Sequence, residues 1–157
     1  MTAARMTAAR VALSLGAMEQ TYRSAPAPAP VLVATIGSKV FGLDRATGRV
    51  LWEHALNAYG VACALVVQDD VVYAASMKDL ACLDYRTGRV LWSSALAASG
   101  RVTLLVDGAQ LFVGCGGEVE CFSLGGKRLW HNPFKGKGLA NVALGVPGQV
   151  AQADDAG

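Results

Sequence analysis

The sequence predicts an all-β chain: a β-propeller of four-stranded antiparallel blades, about three blades plus a partial blade. Three observations carry that expectation. The tryptophans fall at positions 52, 92 and 130, at nearly even spacing. The stretches FGLDRATGRVLWEHAL (41–56) and ACLDYRTGRVLWSSAL (81–96) share Leu-Asp, two residues, then Thr-Gly-Arg-Val-Leu-Trp. Between these units lie short apolar runs broken by Gly and Asp, which mark strands and tight turns. A unit of four strands in ~40–45 residues has the size of one propeller blade.

Residues 1–30 form an N-terminal segment and a Pro/Ala linker. In MTAARMTAARVALSLGAMEQTYR, Val11, Leu15, Met18 and Tyr22 share one helical face, which Gly16 interrupts. The competing reading makes RVALSL the inner strand of the first blade, and the tandem MTAAR is also compatible with an alternative start. SAPAPAP (24–30) reads as an extended linker of little intrinsic order. The blades occupy 31–157, near 31–56, 62–96 and 102–132, with a partial blade at 141–154. Inner-strand signals are ACALVVQ (62–68) and VTLLV (102–106), apolar throughout as a strand buried on both faces would be. Second-strand signals are VLVATIG, VVYAAS and LFVGCG, and Asp69-Asp70 and Asp107-Gly108 turn the chain between them. The third copy, ECFSLGGKRLWHNPF, is one residue shorter and has Ser123 and Gly125 for the Asp and Thr. NVALGVPGQVAQAD repeats the pattern of a first and second strand, after a loop containing Pro133 and FKGKG.

The repeated residues have a physical task. Asp44 and Asp84 open tight turns and accept hydrogen bonds from N–H groups two or three residues on. Thr47 and Thr87 add hydroxyls, and Gly48, Gly88 and Gly126 supply the positive φ that a turn with a bulge requires. Such a turn fixes strand register. Trp52, Trp92 and Trp130 each offer ~200 Å² of surface to anchor one sheet on the next. Position 42, 82 and 121 is Gly, Cys and Cys, so a small side chain is wanted there. Cys63, Cys82, Cys115 and Cys121 contain no CxxC pair, which points to buried reduced thiols rather than zinc.

Composition excludes several classes. The net charge is +2 and the basic residues are scattered, with one mild cluster at Lys127, Arg128, Lys135 and Lys137 that reads as a solvated rim. No nucleic-acid partner is expected. No apolar run reaches the ~20 residues of a membrane helix, and VALSLGAM is at the short limit for an export signal. A cytoplasmic location is therefore expected, with the periplasm or envelope as the alternative. His54 and His131 are expected on outer-strand surface, and Glu118 and Glu120 are expected to face solvent. GCGGEV lacks the third glycine of a dinucleotide loop, and neither GGK nor GKG completes a phosphate loop. A repeated Asp without a partnered His or carboxylate is not an acid–base pair.

The pattern small-x-Asp-x-x-Thr-Gly-x-x-x-Trp resembles the tryptophan-docking repeat of the PQQ quinoprotein dehydrogenases and their non-enzymatic relatives. Those relatives include the outer-membrane barrel-assembly lipoproteins. Residues 42–52 and 82–92 carry the match closely and 121–130 loosely, and the resemblance covers 31–152. It implies a propeller fold in which the motif residues are structural. In the family the quinone and calcium are held by other residues in a full eight-bladed ring, and none of those can be placed here.

The expected function is a non-catalytic propeller scaffold for protein–protein contact or assembly, with no catalytic, cofactor-binding or metal residues. The expected partner is a second copy, giving six to eight blades, or other protein subunits. The alternatives are a PQQ-dependent dehydrogenase-type cofactor binder formed in an oligomer, and a fragment of a longer propeller.

Overall fold

The computed structural model describes residues 27–57 and 62–153. The helix, strand and start-site readings of residues 1–23 lie outside that range. The described residues form thirteen strands and no helix, so none is present that is long and apolar enough to cross a membrane.

The first sheet holds β1 (Val31–Ile36), β2 (Lys39–Asp44) and β3 (Val50–Ala55) in the order β1-β2-β3. The second holds β4 (Ala64–Gln68), β5 (Val71–Ser76), β6 (Asp79–Asp84) and β7 (Val90–Ala95), ordered as in the sequence. The third repeats this with β8 (Val102–Asp107), β9 (Gln110–Cys115), β10 (Glu118–Ser123) and β11 (Arg128–Asn132). A hairpin of β12 (Leu144–Val146) and β13 (Gln149–Ala151) follows. All pairings are antiparallel. These are the blades the repeat predicts. The first blade lacks an inner strand among the described residues, and the last is half a blade.

The core lies between blades, because period-two alternation gives each sheet two faces. Val72, Ala74, Ala81 and Leu83 of the second blade pack against Val31, Val40 and Trp52 of the first. Tyr73, Ala75, Leu80 and Cys82, on the opposite face, pack against Leu104, Leu111, Val113 and Phe122 of the third. A sheet covered on both sides reads as an apolar run, which is why VVYAAS and LACL look alike in the sequence. The β12–β13 hairpin sits against β8, and Thr103 Oγ1 donates to Val142 O at 2.6 Å. Val142 also closes over Gly114, where a Cβ would lie 2.8 Å from the valine Cβ.

Register is set by the same device in every blade. Gly42 pairs with Trp52, Cys82 with Trp92 and Cys121 with Trp130, and a bulge follows immediately each time. The bulge absorbs the extra residue that a type I turn with a left-handed glycine introduces.

Candidate functional site: the joint between blades

The turn that ends the third strand of each blade is built first. Asp44 Oδ1 accepts from Ala46 N at 2.8 Å and Thr47 N at 3.1 Å. Asp84 Oδ1 accepts from Arg86 N at 3.0 Å, Thr87 N at 2.9 Å and the Thr87 hydroxyl at 2.9 Å. The Thr87 hydroxyl and backbone donors hold the Asp84 carboxyl below the usual carboxylate range. Thr47 Oγ1 and Thr87 Oγ1 each accept from the arginine N–H two residues on, at 3.3 Å. Gly48 and Gly88 close the turns with φ of 75° and 71°. In the third blade the Ser123 hydroxyl accepts from Lys127 N at 3.1 Å, and Gly126 takes the positive φ.

The turns of the second and third blades each receive the tryptophan of the blade before. Trp52 Nε1 donates to Tyr85 O at 3.1 Å, and the indole lies over Gly88, where a Cβ would sit 2.5 Å from Trp52 Cε3. Trp92 Nε1 donates to Leu124 O at 3.0 Å and lies over Gly126, where a Cβ would sit 2.6 Å from Trp92 Cδ2. Glycine is needed here twice over, for the left-handed backbone and for the space the ring fills.

The third tryptophan differs. Trp130 is 44% exposed, against 8% for Trp52, and its Nε1 meets no acceptor among the described residues. The first turn differs in the complementary way: a Cβ on Gly48 would meet nothing within 4 Å. Beside that turn Pro28, Ala29, Pro30, Asp44, Arg45 and Ala46 line an open groove of about 480 Å³.

Among the further contacts from blade to blade, those of Tyr85 and Glu120 are not expected from the sequence. The Tyr85 hydroxyl donates to Val31 O at 2.6 Å and accepts from Val31 N at 2.9 Å. Glu120, expected to face solvent, is only 2% exposed, which corrects that reading. Its Oε2 accepts from Ala97 N at 3.0 Å. Its Oε1 lies 2.7 Å from Arg128 Nη2 as an ion pair without hydrogen-bond alignment. Arg128 in turn donates to Ala95 O at 2.9 Å and covers the Phe122 ring. The signal for Glu120 was strand alternation, which puts it on the same face as Phe122.

Glu118 does lie near the surface, 2.6 Å from His131 Nε2. The cysteines are unpaired; Cys82, Cys115 and Cys121 are buried, whereas Cys63 is only half-buried. Burial pushes the thiols of Cys63, Cys82 and Cys115 up to about 11, and that of Cys121 upward. Among the described residues no group of three or more His, Cys, Asp or Glu side chains converges.

Four-stranded blades joined by tryptophan on a glycine turn define a PQQ-like β-propeller repeat protein. The family described as "Outer membrane protein assembly factor BamB" matches residues 15–154, and the chain belongs to that family. No curated protein matches the sequence significantly. Among solved structures, a europium-containing methanol dehydrogenase is similar with a TM-score of 0.57 and 17% identity, over 66% of this chain and 23% of that one. BamB from Moraxella catarrhalis is similar with a TM-score of 0.52 and 21% identity, over 66% of this chain and 33% of that one. The computationally designed Ika4 protein has a TM-score of 0.61 and 16% identity, over 82% of each chain. The chain thus spans a quarter to a third of the length of the two natural proteins, and these likenesses concern the fold.

Proposed function

We propose that the chain is a non-catalytic propeller module that mediates protein–protein contact, with its open blade faces as the contact surfaces. One observation carries this reading: the repeated residues act as construction. Asp44 and Asp84 are engaged with their own turns, and Trp52, Trp92, Gly88 and Gly126 are engaged in joints. The family's description, that of an assembly factor for other proteins, agrees with such a role. Four unpaired cysteines suit a reducing compartment and so support a cytoplasmic reading, which cell fractionation tests.

The test is titration of the purified chain with pyrroloquinoline quinone and Ca²⁺, read by absorbance and by dye-linked alcohol oxidation. Neither stoichiometric quinone binding nor dye reduction is expected. Either result would establish the alternative, a dehydrogenase-type cofactor site, and end the scaffold reading.

A further inference from the structure

The chain makes the tryptophan–glycine joint twice and carries the two halves of a third, one at each end of the stack. We propose that Trp130 of one copy docks on the Asp44–Gly48 turn of a second copy, so that two copies close head to tail into one ring. This rests on the scaffold reading above and names its first partner.

The geometry of the joint is taken from the two inside the chain. The donor is an indole whose Nε1 reaches the carbonyl one residue after the turn-opening residue: Tyr85 O after Asp84, Leu124 O after Ser123. The equivalent carbonyl in the first blade is that of Arg45. The seat is a left-handed glycine bare of other atoms, and Gly48, at φ 75°, is that glycine with its seat vacant among the described residues. Trp130 is the matching donor, its ring already placed 6.1 Å from Phe112, as Trp92 is placed 6.1 Å from Tyr73.

The flanking surfaces match as well. Leu32 and Ile36, on the free face of the first blade, are 57% and 72% exposed. Their counterparts forty residues on, Val72 and Ser76, are fully buried. On the other end Phe134 is left exposed beside Trp130, where Leu56 and Leu96 are buried after the earlier tryptophans. Exposed apolar surface of this kind on both ends of a stack invites burial.

The strands complement one another too. The first blade lacks an inner strand among the described residues, and the β12–β13 hairpin, three residues to each strand, stands where a further blade would begin. In the ring, six-residue β1 of the second copy takes the place of β13 beside β12 of the first. The result is a composite four-stranded blade, β12 with β1, β2 and β3. Each copy then contributes two whole blades and one shared blade, about six per ring, within the ~4–8 that propellers close with. The contact is made twice, Trp130 of each copy on Gly48 of the other, so a two-fold axis closes the ring at two copies.

The experiment is light scattering over a concentration series with four samples: the full chain, W130A, G48N, and an equimolar mixture of the two variants. Asn accepts the left-handed backbone at 48, but its Cβ fills the seat. The full chain is expected to run as a dimer that dissociates on dilution, and each variant as a monomer with unchanged circular dichroism. The mixture is expected to recover a dimer, since Trp130 of the G48N copy still meets an open Gly48 on the W130A copy. A full chain that stays monomeric at every concentration overturns the proposal. So do variants that remain dimeric, or a mixture that fails to recover. Docking by residues 1–26, or by further blades, gives the first of these results. The quinone titration is independent of all of them, so the two readings fail separately.

Discussion

Replacing Trp52 by alanine tests the joint at its strongest point. A tryptophan buries ~200 Å², and Trp52 is 8% exposed, so nearly all of that area is lost to the core. At ~25 cal/mol per Å² the transfer contribution is ~5 kcal/mol. Tyr85 O is also left without its indole donor in a buried place, a loss of ~1–3 kcal/mol before relaxation. Partial collapse of the site offsets some of this, and large aromatic truncations in cores lose ~3–5 kcal/mol. The expected loss is therefore about 4–5 kcal/mol, a large part of the ~5–15 kcal/mol a domain possesses. Trp130→Ala removes a ring that is 44% exposed and meets no acceptor among the described residues, so only ~2–3 kcal/mol should go. Urea unfolding followed by circular dichroism, at the lowest usable protein concentration and with a stabilising osmolyte, reads both. Trp52→Phe, which keeps a ring but loses the Nε1 donor, should fall between them. If monomeric W130A loses as much as W52A, Trp130 is packed within the chain and the account of an open joint is wrong.

Other perturbations separate the remaining contributions. Gly88→Asn should lose ~1–3 kcal/mol, because its Cβ meets the Trp52 ring, whereas Gly48→Asn should stay within ~0.5 kcal/mol in the monomer; urea midpoints compare them. Glu120→Ala should lose ~2–3 kcal/mol, less than a fully buried pair because Arg128 is partly solvated, and E120L with R128M should recover most of it in the same assay. The Asp84 carboxyl is held below its ordinary 3.8, so its contribution is complete above that pH and is lost as pH falls through the lower folded value; D84N should flatten the acid limb of a melting-temperature profile. The thiols of Cys63, Cys82 and Cys115 are raised from 9.0 to about 11, so stability is complete below pH 9 and falls as pH rises toward 11. C82A and C115A should each flatten that alkaline limb, by up to ~2–3 kcal/mol at its end.

The blades were legible because the turn chemistry repeats. Asp44, Gly48, Asp84 and Gly88 act within a few residues of themselves, so their geometry is written locally. The strand limits followed from it, with β6 ending at Asp84 and β7 starting just past Gly88. Contacts between repeats were not legible in the same way. That the seat of Trp52 is Gly88, and not a residue of its own unit, depends on how two sheets stack. The Tyr85–Val31 hydrogen bonds span more than fifty residues and carry no local pattern. Glu120 was misread because charge was weighed above alternation. It lies on the inward face with Phe122, and its burial is sustained by Arg128 and Ala97, which the strand itself does not announce.

The residue opposite each tryptophan decides how much of the joint exists before the next blade arrives. Trp52 lies so close over Gly42 that a Cβ there would overlap the indole, so the ring is held between Gly42 of its own blade and Gly88 of the next. Cys82 and Cys121, opposite Trp92 and Trp130, have that Cβ, so those rings cannot take the position over their own strand that Trp52 takes over Gly42. The neighbouring second strand compensates: Tyr73 meets Trp92 and Phe112 meets Trp130, both with ring centroids 6.1 Å apart, where the first blade has Val33. The own-blade half of the support is thus present for all three tryptophans. Trp130 is held by Phe112 in the arrangement that Trp92 shows when docked, so little rotamer freedom remains to be lost on association. On the proposal of a head-to-tail pair, Trp130 held by Phe112 would be the donor and the Gly48 turn, open among the described residues, would be the seat.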